Sequence, residues 1–188
     1  GQTFINALID IPFAIPTLVT GVMLVILYGP QAPVGGWLKD TFGLDIIFAP
    51  PGIVLALLFI SLPFVVRTVQ PVLMSIELDQ EQAAYTLGAS SWRTFHRVLL
   101  PALMPSILTG SLLAFARALG EFGSVVVVAG NIPLRSQVAA VYVLSQIESD
   151  NQRAASAMSV VMLLIAFLVM IVVDFIQRRG QVKEGSHA

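Results

Sequence analysis

The 188 residues are 56% hydrophobic and only 11% charged, with a net charge of −1 at neutral pH. Soluble domains have about 25% charged residues, so the polar coat of a water-soluble protein is missing and the chain reads as an integral membrane protein. No basic run offers a surface for nucleic acid, and with no cysteine there is no disulfide and no reading of the redox compartment.

The chain starts at Gly1 with no charged segment ahead of its first apolar run, which predicts a piece of a longer chain rather than a signal peptide. Leu8 to Tyr28 is the first predicted span, matching the about 20 apolar residues a bilayer crossing needs. Pro12 and Pro16 remove backbone donors near its start and predict a kinked or broken helix, with Asp10 as an interfacial cap. Gly29 to Asp45, rich in Gly-Pro, Ala-Pro and Gly-Gly pairs, reads as a loop with Trp37 at the interface. Ile46 to Val66 is the second charge-free run, with Pro63 in its last turns and Arg67 at its far end.

Glu81 to Pro101, EQAAYTLGASSWRTFHRVLLP, is the one long polar interval between apolar segments that also bears the marks of folded structure. Glu81 to Leu87 suits a helix, Ala83 and Ala84 give it a small face, and Gly88 stops it. Ser90 or Ser91 can cap a second short helix, Trp92 to Leu99, with Trp92, Phe95 and Leu99 at helical spacing and Arg93 and Arg97 beside them. Pro101 and Pro105 mark the return to the bilayer. The coupling segment as a whole is taken as residues 76–101 of a single membrane domain, 1–188.

The third predicted span runs from about Leu103 to Ala129 and is interrupted by Arg117 and Glu121, four residues apart and so on one helical face. A charge at mid-bilayer costs about 2.5–3.5 kcal/mol on insertion scales, so such residues turn to the bundle interior or to water. Gly120, Gly123 and Ser124 around the pair allow close backbone approach or leave a polar gap. Two readings stay open: this face lines a translocation pathway, or the pair locks two helices together. Hydroxyls of Thr17, Thr20 and Ser124, and backbone donors freed near Pro12, Pro16, Gly120 and Gly123, could receive an anion, although membrane hydroxyls often bond back to their own helix. Gly130 to Asn151 is polar, with an amphipathic stretch from Val138 to Ile147. Ala154 to Val173 is the fourth span, followed by a hydrophilic tail with Arg178, Arg179 and Lys183.

Lys and Arg set the orientation. With the Glu81 segment and the tail on the cytoplasmic side, Arg67, Arg93, Arg97, Arg178, Arg179 and Lys183 lie there, against Lys39, Arg135 and Arg153 on the other. An even number of spans places both ends in the cytoplasm. Enzyme chemistry finds little to work with: His96 and His187 are the only histidines, there is no catalytic or metal motif, and no Gly-Lys-Ser/Thr to hold nucleotide phosphates.

The alanine pair, the glycine four residues after Ala84 and the Leu-Pro that closes the segment resemble the EAA loop of permease subunits of ATP-binding-cassette importers. Ala83, Ala84 and Gly88 match by position, while Gln82 stands where the motif has glutamate, with Glu81 just before it. RALGEFGSVVVVAGNIP, from Arg117 to Pro133, looks like the corresponding span of permeases for sulfate, molybdate and tungstate. IDIPFAIPT, from Ile9 to Thr17, and LPFVVRTVQPVL, from Leu62 to Leu73, are similar to the sulfate/thiosulfate permeases in particular.

The resemblance covers nearly the whole chain. It implies an all-α, type I importer bundle with four transmembrane helices here, further helices ahead of Gly1, and a place in a prokaryotic plasma (inner) membrane. Glu81, Ala83, Ala84, Gly88, Ser91, Trp92 and Phe95 would couple to the ATPase. Arg117, Gly120, Glu121, Gly123, Ser124 and Thr17 would border the pathway. The implied partners are two cytoplasmic ATPase subunits carrying ATP and Mg, a second permease, identical or homologous, an extracytoplasmic substrate-binding protein and a sulfate-like oxyanion. Molybdate or tungstate is the alternative cargo. A secondary anion transporter or channel is the rival of a different class, but it leaves the Glu81 segment without a purpose.

Overall fold

The computed structural model describes residues 1–76 and 78–184, with the side chains of all of these except 2, 3, 78, 79 and 176–184. The side chains of Arg178, Arg179 and Lys183, and all of His187, therefore lie outside the described residues. Among those described, every regular element is helical. The chain forms two compact units, one of Gly1–Pro63 with Arg117–Phe167, the other of Phe64–Ala116 with the described part of Leu168–Ala188.

In the first unit, α1 (Gln2–Ala14) and α2 (Thr17–Tyr28) meet at a bend of 105°. Of the expected kink or break, the chain takes the break. Pro16 crowds the helical conformation of the residue before it, and Ile15 is extended, at φ −92° and ψ 128°. Pro12 is accommodated inside α1.

The expected loop from Gly29 to Asp45 contains a helix, α3 (Pro33–Phe42). Pro33 sits in its first turn, where its missing N–H is no loss, and Gly43 closes it in the left-handed conformation. Gly35 is buried against the carbonyls of Tyr28 and Gly29, so there the Gly-Gly pair permits close packing rather than chain freedom.

The core of this unit is Val125, Ala129 and Val141, with Ile53, Leu57, Val126 and Val138 packed around them. They come from α4 (Pro50–Ser75), α8 (Gly123–Ala129) and α9 (Ala139–Glu148), and from Val138 just ahead of α9. The amphipathic stretch from Val138 to Ile147 thus forms α9 and buries Val141.

The second unit holds the rest of α4, then α5 (Leu78–Thr86), α6 (Ser91–Thr94) and most of α7 (Leu100–Leu119). Gly110 of α7 packs on Val65 and Thr68 of α4, where a methyl group would come within 2.9 Å of the Val65 Cα. The second short helix expected at Trp92–Leu99 is no separate piece, because Ser91–Leu119 runs as one helix of 29 residues. A wide π turn over Phe95–Leu99 joins its parts, with the Leu100 N–H bonded to the Phe95 carbonyl. Pro101 has no N–H to give the preceding turn, and the wider register absorbs that loss.

Among the described residues, three helices are long and apolar enough to cross a membrane: Pro50–Ser75, Ser91–Leu119 and Gln152–Phe175, the last within α10 (Gln152–Glu184). The bent pair α1–α2 makes a fourth if it counts as one span. The third span ends at Leu119, ten residues short of the expected Ala129, since the chain breaks at Gly120–Phe122.

Candidate functional site

The break after α7 builds a clasp. The Glu121 N–H closes a last turn onto the Ala118 carbonyl at 3.1 Å, and the backbone then swings into α8. This turns the Glu121 carboxylate inward, its side chain only 2% exposed. One oxygen, Oε1, accepts the Ser124 backbone N–H at 3.0 Å and the Ser124 hydroxyl at 3.1 Å. The other, Oε2, takes Arg117 Nη1 at 2.9 Å. The Thr17 hydroxyl, at the start of α2, also bonds the carboxylate. Negative charge is thereby placed beside the free N–H groups of the first turn of α8, where helix electrostatics favour it.

The pair therefore meets across a break and not along one helical face. Its members are also unequal, since the Arg117 side chain is 36% exposed. Small residues let α2 and α8 close around the clasp. A methyl group on Gly21 would come within 2.7 Å of the Ser124 carbonyl oxygen, and one on Gly123 would strike the Thr17 hydroxyl and approach the Leu18 nitrogen at 2.9 Å.

Of the residues expected at a pathway, Thr17, Arg117, Glu121, Gly123 and Ser124 come together. Gly120 is exposed at the turn, with nothing nearer to its missing Cβ than the Arg117 carbonyl at 3.9 Å. Thr20 is buried one turn along α2 without a partner for its hydroxyl among the described residues. Nothing in the residue order announces that Ser124 serves Glu121 twice, because that requires the break.

The second constellation is the helical hairpin around Gly88. Gly88 sits at φ +77°. Its N–H bonds the Tyr85 carbonyl at 2.9 Å and the Ala89 N–H bonds the Ala84 carbonyl at 3.0 Å, a glycine-closed helix end. Ser90, rather than Ser91, caps the next helix by accepting the Arg93 N–H at 3.4 Å. Ala83 and Ala84 lie on α5 with Glu81, and Thr86 bonds back to the Ala83 carbonyl at 2.8 Å.

Beyond the turn an aromatic knob stands out. Trp92 is 73% exposed and Phe95 41%. His96, not singled out by the sequence, completes it: its ring centroid is 3.9 Å from that of Trp92 and 5.1 Å from that of Phe95. The i,i+4 spacing of Trp92 and His96 was the available signal. Among the described residues, no three His, Asp or Glu side chains gather as metal ligands.

The chain belongs to the family described as binding-protein-dependent transport system inner membrane component, which matches residues 1–181. It is 45% identical over 177 residues to a probable sulfate transport system permease protein of Chlorella vulgaris, covering 94% of this chain and 66% of that protein. It is 42% identical over 181 residues to the sulfate transport system permease protein CysT of Synechocystis sp., covering 96% and 63%. The chain thus spans just under two thirds of the length of these relatives.

Among solved structures it resembles a chain of a bacterial alginate ABC transporter in complex with an alginate pentasaccharide-bound periplasmic protein. The TM-score is 0.70 at 18% identity, covering 95% of this chain and 65% of that one. A second alginate-import transporter structure matches with a TM-score of 0.69 at 16% identity, covering 96% and 65%. These likenesses concern the fold.

Proposed function

We propose that this chain is part of the membrane subunit of an ATP-driven importer that brings sulfate or thiosulfate into the cytoplasm of a prokaryotic cell. The observation that carries this reading is identity above 40% to sulfate permeases along more than nine tenths of the chain. ATP hydrolysis belongs to two cytoplasmic ATPase subunits, and a second permease and an extracytoplasmic binding protein complete the importer. The hairpin from α5 to the π turn carries the coupling. Its exposed Trp92 and Phe95 are the kind of rigid aromatic anchors that dominate protein interfaces, and the fixed turn at Gly88 presents them as one body.

The clasp borders the pathway in this reading. A sulfate would be repelled by Glu121 alone, but the carboxylate is neutralised by Arg117 and consumes the Ser124 and Thr17 donors. Arg117 spends Nη1 on Glu121 and keeps its other guanidinium donors for a passing anion. The test is uptake of radiolabelled sulfate by proteoliposomes holding the full importer, with ATP inside and binding protein outside. Uptake that needs both ATP and binding protein and is competed by thiosulfate supports the reading. Uptake competed only by molybdate would move the cargo to that anion, and uptake without any ATPase subunit would favour a secondary transporter.

A further inference from the structure

The face of α4 that packs inward in its first half turns polar in its second. Gly52, Ala56, Ile60 and Pro63 are buried and follow one another at spacings of three and four, which makes them one stripe of the helix. Arg67, Gln70 and Met74 continue that stripe in the same register, and there Arg67 is exposed. Val54, Leu58 and Leu62, each more than half exposed, lie on the opposite side of the helix, the side that meets lipid.

Arg67 also stands deep in the crossing. It is eight residues short of the end of α4 at Ser75, about 12 Å of helical rise. Its neighbours Val65 and Thr68 pack on Gly110, the eleventh of the 20 residues of α7, a helix whose length of about 30 Å matches the hydrocarbon layer. Charge counting sets Arg67 at the cytoplasmic interface, whereas this packing sets it near mid-depth. An arginine there is costly in lipid and turns to protein or to water.

The chemistry of the pair is one-sided. Arg67 Nη1 donates to Gln70 Oε1 at 3.1 Å. That oxygen is the only side-chain acceptor the two residues possess, and every other polar atom of their side chains is an N–H donor. Donors held around a positive charge suit a tetrahedral dianion, two of whose oxygens the guanidinium fork can take. We infer that Arg67 and Gln70 form an oxyanion-binding station of the translocation pathway. It stands about 10 Å of helix nearer to the Gly88 hairpin than Arg117 does, counting the seven residues of α7 from Gly110 to Arg117. The inference rests on the sulfate-import reading and adds the residues that hold the anion at mid-crossing.

The test uses the complete importer, with the full-length permease and its other subunits made cysteine-free, in proteoliposomes. With Arg67 and Gln70 in place, a cysteine replacing Met74 on the same stripe should react with a small anionic thiol reagent and be shielded by millimolar sulfate. A cysteine replacing Leu62, also exposed in this chain, should stay unreactive in lipid. Arg67→Gln should lower the sulfate taken up per ATP hydrolysed by about tenfold, the scale of one lost hydrogen bond to a charged group, and Arg67→Lys should restore part of it. Gln70→Glu, which sets a carboxylate against the anion, should lose uptake to a similar degree. A purely structural role would lower uptake and ATP hydrolysis together and leave their ratio unmoved. If Arg67→Gln does not assemble, the Met74 labelling decides, because it is done with Arg67 present. Reaction at Met74 that sulfate does not slow, reaction at Leu62 as fast as at Met74, or an unchanged uptake ratio in Arg67→Gln would overturn the station and leave the importer reading intact. Wild-type proteoliposomes that take up no sulfate with ATP and loaded binding protein would sink the importer reading itself.

Discussion

Glu121 and Ser124 are joined twice through one carboxylate oxygen, by the Ser124 N–H at 3.0 Å and its hydroxyl at 3.1 Å, while the other oxygen holds Arg117. The start of α8 and the end of α7 therefore depend on a single buried group, with Thr17 of α2 as a further tie.

Unequal consequences follow for the two members of the ion pair. Arg117→Gln leaves the carboxylate with its Ser124 and Thr17 donors and removes a partner that already meets solvent, so the expected loss is about 1 kcal/mol or less, as for partly exposed pairs. Glu121→Ala strands the buried Ser124 N–H and hydroxyl, a loss of about 1–3 kcal/mol for each group left without a partner. Thermal unfolding of the purified complex measures both. Glu121→Gln, which keeps one acceptor oxygen for Ser124, should fall between them and improve when combined with Arg117→Gln, because the new amide then no longer faces a guanidinium. Equal losses for Arg117→Gln and Glu121→Ala would mean that the ion pair, not the Ser124 bonds, holds the break.

Much of this architecture was legible in advance, and the failures have physical causes. Charge-free runs located the crossings at Ile46–Val66 and Ala154–Val173, and Gly88 announced its turn, because burial in lipid and left-handed backbone each leave a strong mark on composition. The break at Gly120–Phe122 left none. Arg117 and Glu121 at i,i+4 read as one helix, and only the donors of Ser124 and Thr17, brought in by the fold, make the broken form acceptable. Gly29 to Asp45 reads as loop because Gly-Pro, Ala-Pro and Gly-Gly pairs usually mark one, whereas Pro33 opens α3 and Gly35 lets it approach the Tyr28 carbonyl.

The glycines near the clasp should separate by packing, although all look alike in sequence. Gly123→Val drives a branched side chain into Thr17 and Leu18, and Gly21→Val does the same to Ser124 and Val127, each with an overpacking loss of about 1–3 kcal/mol or more. Gly120→Ala meets open space and should be nearly silent. Folded yield and melting temperature in detergent decide. A Gly120→Ala variant as damaged as Gly123→Val would contradict the close approach of α2 and α8 as the reason these positions are small.

At the hairpin, Gly88→Val forces a β-branched residue to φ +77° and should cost about 1–2 kcal/mol in the turn, while Gly88→Asn should be tolerated far better. Trp92→Ala removes an anchor that is 73% exposed in this chain and contributes little to its own fold. In the proposed importer it should weaken ATPase docking by about 2 kcal/mol or more without lowering the permease's melting temperature. ATPase subunits retained on affinity-purified permease, measured against salt-washed wild type, give the answer. Full retention with Trp92 absent would remove the aromatic knob from the coupling interface.

Orientation can be read with single cysteines, since the chain has none of its own. Ser136 is buried and would make a poor reporter. Leu134 and Asp40 are exposed, and the Asp45 carboxylate, bonded to both Lys39 and Arg135, ties their two segments to one another. Both must therefore lie on the same face of the membrane. Cysteines replacing Leu134 and Asp40 should react with an impermeant thiol reagent in intact cells, and one replacing Ser91 only after permeabilisation. Splitting of the first two positions across the membrane would contradict the ion-paired segment itself. If instead all three positions reverse, the Gly88 hairpin would face outward, and no cytoplasmic ATPase could reach Trp92.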